Sequence, residues 1–230
     1  MMPSIKRNDA ILFGVTGGTM LASLAAIFVY APNEQTMGVV QKIFYLHLPL
    51  ALLAFTAFFL VFAASLRYLW QPAARWDIFA HCAAEIGVLF CTLVLITGAI
   101  WARPIWNVWW TWDPRLTTAL MLWCLYVAYL MLRQFLPPGA HTSQIAAVFG
   151  MISFINVPLT FWAVRMWRTI HPVVIDRRGI HLAAPMLITL LVSLAAFSLL
   201  FVVLLRLRIR VEHAARAYAE LHFLVEEQNN

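Results

Sequence analysis

Six stretches of this 230-residue chain stay apolar for the length of a membrane crossing: 11–30, 43–66, 78–101, 116–135, 144–164 and 182–205. A helix needs about 20 such residues to cross a hydrocarbon layer roughly 30 Å thick. Lipid offers no partners to backbone N–H and C=O groups, so each crossing segment must satisfy its own. A barrel would need alternating apolar and polar positions, which these runs lack. Hydrophobic residues make up 63% of the chain, charged residues 11%, and the mean hydropathy is +0.82, which excludes an ordinary water-soluble domain. The sequence therefore predicts an all-α polytopic membrane protein: a six-transmembrane-helix bundle forming one domain over 1–230, with links of about ten to eighteen residues broken by Pro72 and by Pro137, Pro138 and Gly139.

Orientation follows from charge. Lys6 and Arg7 immediately precede the first span and favour a cytoplasmic N-terminus, and six spans return the C-terminus to the same side. That side carries nine basic residues; the other carries seven, namely Lys42, Arg103, Arg115, Arg165, Arg168, Arg177 and Arg178. The outer loops are thus richer in arginine than topology asks for, either because they meet something anionic or because the side chains reach for lipid head groups. No cleavage-type site follows the first apolar run, which argues against a removable signal peptide.

Five of the ten tryptophans lie between positions 101 and 112, in the outer loop 101–117, where Trp106, Trp109, Trp110 and Trp112 accompany Asp113 and Arg115. An interfacial belt needs far fewer rings, and such a cluster can form a platform for a flat molecule. Helical spacing would put Trp106, Trp109, Trp110 and Asp113 on one face and turn Trp112 and Arg115 away, so the expectation is a short amphipathic helix or turn along the membrane surface. Asp113 before Pro114 reads as the N-cap of the fourth span.

Histidines give a second signal. By parity of the spans, His47, His171 and His181 open on the same side as the tryptophan loop, whereas His81, His141, His213 and His222 fall on the opposite side. Neutral imidazole is a common ligand of haem iron, two histidines from separate segments can clamp the macrocycle, and aromatic faces can cover it. Propionates need cations, for which Arg115, Lys42, Arg103, Arg177 and Arg178 are the candidates. Cys82, Cys91 and Cys124 all fall inside spans with no C-x-x-C-H, so they read as buried thiols and any haem would be bound non-covalently. Glu85, inside the third span, is expected to face the bundle interior, protonated or paired with His81.

The run Gly98-x-x-Trp101-x-x-Pro104-x-Trp106, followed by Trp110-x-Trp112-Asp113-Pro114-Arg115-Leu116-Thr117, resembles the tryptophan-rich signature of the haem-handling membrane proteins of cytochrome c maturation. Length, span number and two further segments are similar to the CcmC family. Lys42 to Pro49 looks like the segment with that family's first axial histidine, and Trp167 to Pro172 like the segment with the second. The resemblance implies haem b at the periplasmic face of the bacterial inner membrane, with His47 and His171 as metal ligands and the tryptophan loop holding the ring. It also implies presentation of that haem to the chaperone CcmE, with the ABC transporter subunits CcmA and CcmB and the small protein CcmD as further partners beside membrane lipid. Relatives often carry arginine where this chain has Lys42, which keeps the charge and loses the fork. No catalytic residue is required, and no nucleic acid is implied.

Two other classes compete. A b-type electron-transfer subunit would also hold haem between histidines, although it usually stacks two haems across the bilayer and the inner histidines lack aromatic company. A group-transfer enzyme acting on a lipid carrier would use Asp113 as a carboxylate, with only Glu34 and Asp176 as further acids on that face.

Overall fold

The computed structural model describes residues 7–166, 175–176, 179–180 and 182–229. Among the described residues there are six helical crossings, each long and apolar enough to span a membrane. The first is α1 (Arg7–Ala25), which loosens into a π-turn over Ala26–Tyr30. A 3-10 turn, Val39–Ile43, leads into α2 (Phe44–Trp70); α3 (Ala74–Trp106) and α4 (Pro114–Phe135) follow. The fifth crossing is divided into α5 (Ala140–Phe154) and α6 (Asn156–Met166), and α7 (Ala184–Asn229) is the sixth. Between α6 and α7, the two-residue strands Ile175–Asp176 and Gly179–Ile180 pair antiparallel, a small addition to the all-α bundle.

Helices run past the ends of the apolar runs, so three connections are shorter than expected: 71–73, 107–113 and 136–139. Hydropathy marks where the lipid contact stops, whereas the hydrogen-bond ladder stops where local chemistry breaks it. Gln71 and Leu136 are extended because each precedes a proline, Pro72 and Pro137. The division of the fifth crossing was not anticipated. Pro158 has no N–H to give the Phe154 carbonyl and its ring crowds that carbonyl; Ile155 N–H bonds instead to Ile152 O at 3.1 Å. Asn156, buried at the break, donates through Nδ2 to Thr118 O on α4 at 2.9 Å.

The core is built where α2 and α3 lie side by side, with α4, α5 and α7 around them. Phe58 and Tyr126 stack at 3.8 Å between ring centres with 14° between planes. Gly87 makes room for this stack, since a Cβ there would stand 2.6 Å from Phe58 Cε1. Ser23 and Ser193 hydroxyls, 3.0 Å apart, join α1 to α7 inside the bundle. Cys82 and Cys91 are buried as expected, but Cys124 is exposed on the surface of α4 rather than packed in the core. The apolar pattern of α4 is broad enough to hide that distinction in the sequence.

At the end of the bundle that holds the beginning of α1 and the extension of α7, charges pair across helices. Asp77 accepts from Arg133 Nη1 at 2.7 Å and from Arg216 Nη2 at 3.0 Å. Glu212 accepts from Arg208 at 3.1 Å and from Arg216 at 2.9 Å, and Asp9 takes two 2.8 Å bonds from Arg210. Glu85 faces inward, but its main partner is Arg208 (Nε to Oε2, 2.6 Å) rather than His81, which lies 3.6 Å away. The partner was missed because Arg208 is 123 residues distant in sequence. Four of the nine basic residues on this side, Arg133, Arg208, Arg210 and Arg216, are therefore engaged by acids and hold helices together.

Candidate functional site

The opposite end carries the tryptophan loop and opens into a cavity between α2, α3 and α4. Its volume is about 70 Å³, below the roughly 300–1,000 Å³ of small-molecule and cofactor sites, so a large flat ligand enters only as the side chains around it part. Small residues on the facing helices create it: Ala51 and Ala54 on α2, Gly98, Ala99 and Ala102 on α3, and Ala119 on α4. His47, Trp101, Trp106, Trp110 and Arg115 line it.

His47 lies one turn into α2, half-buried, with its ring edge-on to Trp101 at 5.9 Å between centres and 69° between planes. Its Nδ1 is 3.0 Å from Thr97 Oγ1 on α3. A Cβ at Gly98 would approach its Cε1 to 3.2 Å, so the glycine is what lets the imidazole lie against α3.

The tryptophan loop is not the amphipathic helix expected from spacing. Asn107 takes the left-handed conformation (φ 57°, ψ 21°) and ends α3 at Trp106. Arg103 fixes that turn by donating to the Asn107 carbonyl at 2.8 Å and to its side-chain oxygen. Helix resumes only at Pro114, where Asp113 caps α4 by accepting the Arg115 N–H through Oδ1 at 2.9 Å, as the sequence predicted. Between the two helices the chain is irregular, and the faces are redistributed. Trp106, Trp110 and Arg115 meet at the cavity; Trp109 and Trp112 do not line it and are 60% and 75% exposed. Trp110 meets Trp112 edge-on at 5.8 Å. A left-handed turn reverses the chain direction, which periodicity cannot express.

Lys42 is turned away from the cavity. Its Nζ donates to Phe28 O at 3.0 Å, a carbonyl that the π-turn at the end of α1 leaves without a helical donor. Glu34, on the same face, is also occupied: its Oε2 accepts the backbone N–H groups of Thr36 and Met37. With Asp113 and Glu34 both holding main-chain donors, neither is placed as a free catalytic carboxylate. His171 and His181, together with Trp167, Arg168, Arg177 and Arg178, lie outside the described residues.

Sequence reasoning did not single out Trp101 as a cavity residue, nor Thr97 and Gly98 as neighbours of His47. Trp101 is buried, and its Nε1–H, like that of Trp110, has no hydrogen-bond partner among the described residues. A buried donor left unpaired costs about 1–3 kcal/mol, so two of them beside a guanidinium in one cavity fit an acceptor such as a carboxylate. The Ala51-x-x-Ala54 and Gly98-Ala99-x-x-Ala102 spacings, small residues on facing helices, were the signal available for the cavity itself.

Comparison with known proteins is consistent along nearly the whole chain. The family model described as CcmC, Heme exporter protein C, matches residues 2–223. The chain is 36% identical over 207 residues to Heme exporter protein C of Bradyrhizobium diazoefficiens, covering 87% of this chain and 79% of the relative. It is 30% identical over 222 residues to the protein of the same name from Paracoccus denitrificans, covering 94% and 92%. It is 31% identical over 180 residues to a ccmC-like mitochondrial protein of cytochrome c biosynthesis from Marchantia polymorpha, covering 78% and 76%. With a six-crossing bundle and a match over residues 2–223, this chain belongs to the CcmC, heme exporter protein C, family.

Proposed function

We propose that this protein handles haem in cytochrome c biogenesis: it binds haem b at the periplasmic end of a bundle in the bacterial inner membrane and presents it to the haem chaperone CcmE. The observation that carries the proposal is one cavity that collects the His47 imidazole, the Arg115 guanidinium, the Trp106 ring and the unpaired indole N–H groups of Trp101 and Trp110. These groups suit the parts of haem: imidazole for iron, indole faces for the ring, guanidinium and indole N–H for a propionate. His171 is the second axial ligand in this proposal, and Asp113 acts on the site by holding Arg115 and the start of α4 in place. Trp109 and Trp112, exposed at the rim, are available to the chaperone. Lys42 contributes by anchoring the end of α1 next to the segment that carries His47. CcmA, CcmB and CcmD complete the exporter and release the loaded chaperone.

The orientation this requires, tryptophan loop outward and both termini in the cytoplasm, agrees with Lys6 and Arg7 before the first span. The test is a reconstituted transfer. Proteoliposomes containing this protein, supplied with haem and soluble CcmE, should yield CcmE with denaturation-resistant haem, and Arg115→Ala should lower the yield. Equal yield from liposomes lacking the protein would refute the proposal.

A further inference from the structure

His47 can ligate iron through one ring nitrogen only if the proton sits on the other, and the geometry around Thr97 decides which. Thr97 lies on α3 beside Gly98. Its Oγ1 is 2.7 Å from the Leu93 carbonyl, 3.3 Å from the Val94 carbonyl and 3.0 Å from His47 Nδ1. A hydroxyl has one proton to give and two lone pairs to offer, while a backbone carbonyl can only accept. If the Thr97 proton pointed to His47, the Leu93 oxygen would be left 2.7 Å from another oxygen with no proton between them. The proton therefore goes to Leu93, and Thr97 faces the imidazole as an acceptor. His47 Nδ1 must then be the protonated nitrogen, and in a neutral imidazole that leaves the lone pair on Nε2.

We propose that Thr97 is a positioning residue that holds His47 in the Nδ1–H tautomer, so that Nε2 is the ligand atom of a ring that lines the cavity. The bond to iron rests on the haem reading above; the tautomer does not. Ligating histidines usually give their other N–H to a carboxylate, carbonyl or water, which fixes the ring and raises its basicity. Here a threonine hydroxyl takes that place, and the bond it donates to Leu93 polarises the oxygen and makes it a better acceptor. Gly98, the next residue, keeps the ring close enough for the contact.

The variants are Thr97→Val, which keeps the shape and removes the acceptor, and Thr97→Ser, which keeps the hydroxyl. The first readout needs no haem: nitrogen NMR of histidine-labelled protein in detergent, with His47 assigned by difference from His47→Gln. Wild type and Thr97→Ser should show a protonated Nδ1 and an unprotonated Nε2, and Thr97→Val should show a mixture of tautomers or the reverse one. The second readout is the haem-loaded protein, where Thr97→Val should weaken haem binding about 10-fold and raise the midpoint potential, with Thr97→Ser restoring both. A wild type whose His47 carries its proton on Nε2 overturns the inference, as does a Thr97→Val protein with unchanged tautomer and potential. If wild type shows the Nδ1–H tautomer yet takes up no haem, the tautomer assignment holds and the haem-binding proposal is the one that fails.

Discussion

Replacing Gly98 with alanine perturbs the candidate ligand without touching its chemistry. The added Cβ would stand 3.2 Å from His47 Cε1 and 3.8 Å from Nδ1. Carbon atoms in ordinary contact are about 3.5–4.0 Å apart, so the imidazole must retreat from α3 by about 0.3–0.8 Å. Thr97 lies on the same helix, and its 3.0 Å contact with Nδ1 would stretch beyond the ~3.2 Å at which such bonds are normally made. Losing one neutral hydrogen bond costs about 0.5–1.5 kcal/mol, which corresponds to haem binding weaker by roughly 2- to 12-fold. The assay is titration of purified Gly98→Ala with haem, followed in the Soret band. Gly18→Ala serves as the control, because nothing lies within 4 Å of a Cβ there. Unchanged affinity together with an unchanged spectrum in Gly98→Ala would refute the claim that the glycine positions His47.

Gly87→Ala should destabilise the bundle by about 1–3 kcal/mol through overpacking, since its Cβ would meet Phe58 Cε1 at 2.6 Å and that ring is pinned against Tyr126; an unfolding midpoint equal to wild type would count against the packing described. Asp77→Ala strands Arg133, whose side chain is 10% exposed, and should cost about 3–5 kcal/mol while leaving haem titration at the far end of the bundle unaltered. Asp113→Ala should lose about 0.5–2 kcal/mol through the missing cap of α4, and Asp113→Asn should recover most of it in the same thermal unfolding experiment.

The architecture was legible because lipid imposes a simple rule: every crossing is a run of about 20 apolar residues, and six runs were visible. The cap at Asp113 was legible too, because N-cap chemistry depends on neighbouring residues alone. Parity placed His47 with the tryptophan loop, whereas the small residues that open the cavity on the facing helices were not read from the sequence. The rest depended on geometry that periodicity does not encode. A single left-handed residue, Asn107, turns Trp106 and Trp110 toward Arg115 where helical spacing had separated them. Pro158 divides the fifth crossing although the hydropathy there is unbroken. The pairing of Glu85 with Arg208 and of His47 with Thr97 joins residues 123 and 50 positions apart, contacts that only the packed bundle brings about.

Iron held by His47 and His171 is the central claim, and the absorption and electron paramagnetic resonance spectra of the purified, haem-loaded protein test it most directly. Wild type should show a six-coordinate, low-spin haem, and His47→Ala and His171→Ala should each convert it to a high-spin form or lose it. Wild-type spectra in both variants, or a wild type that binds no haem at all, would contradict the claim.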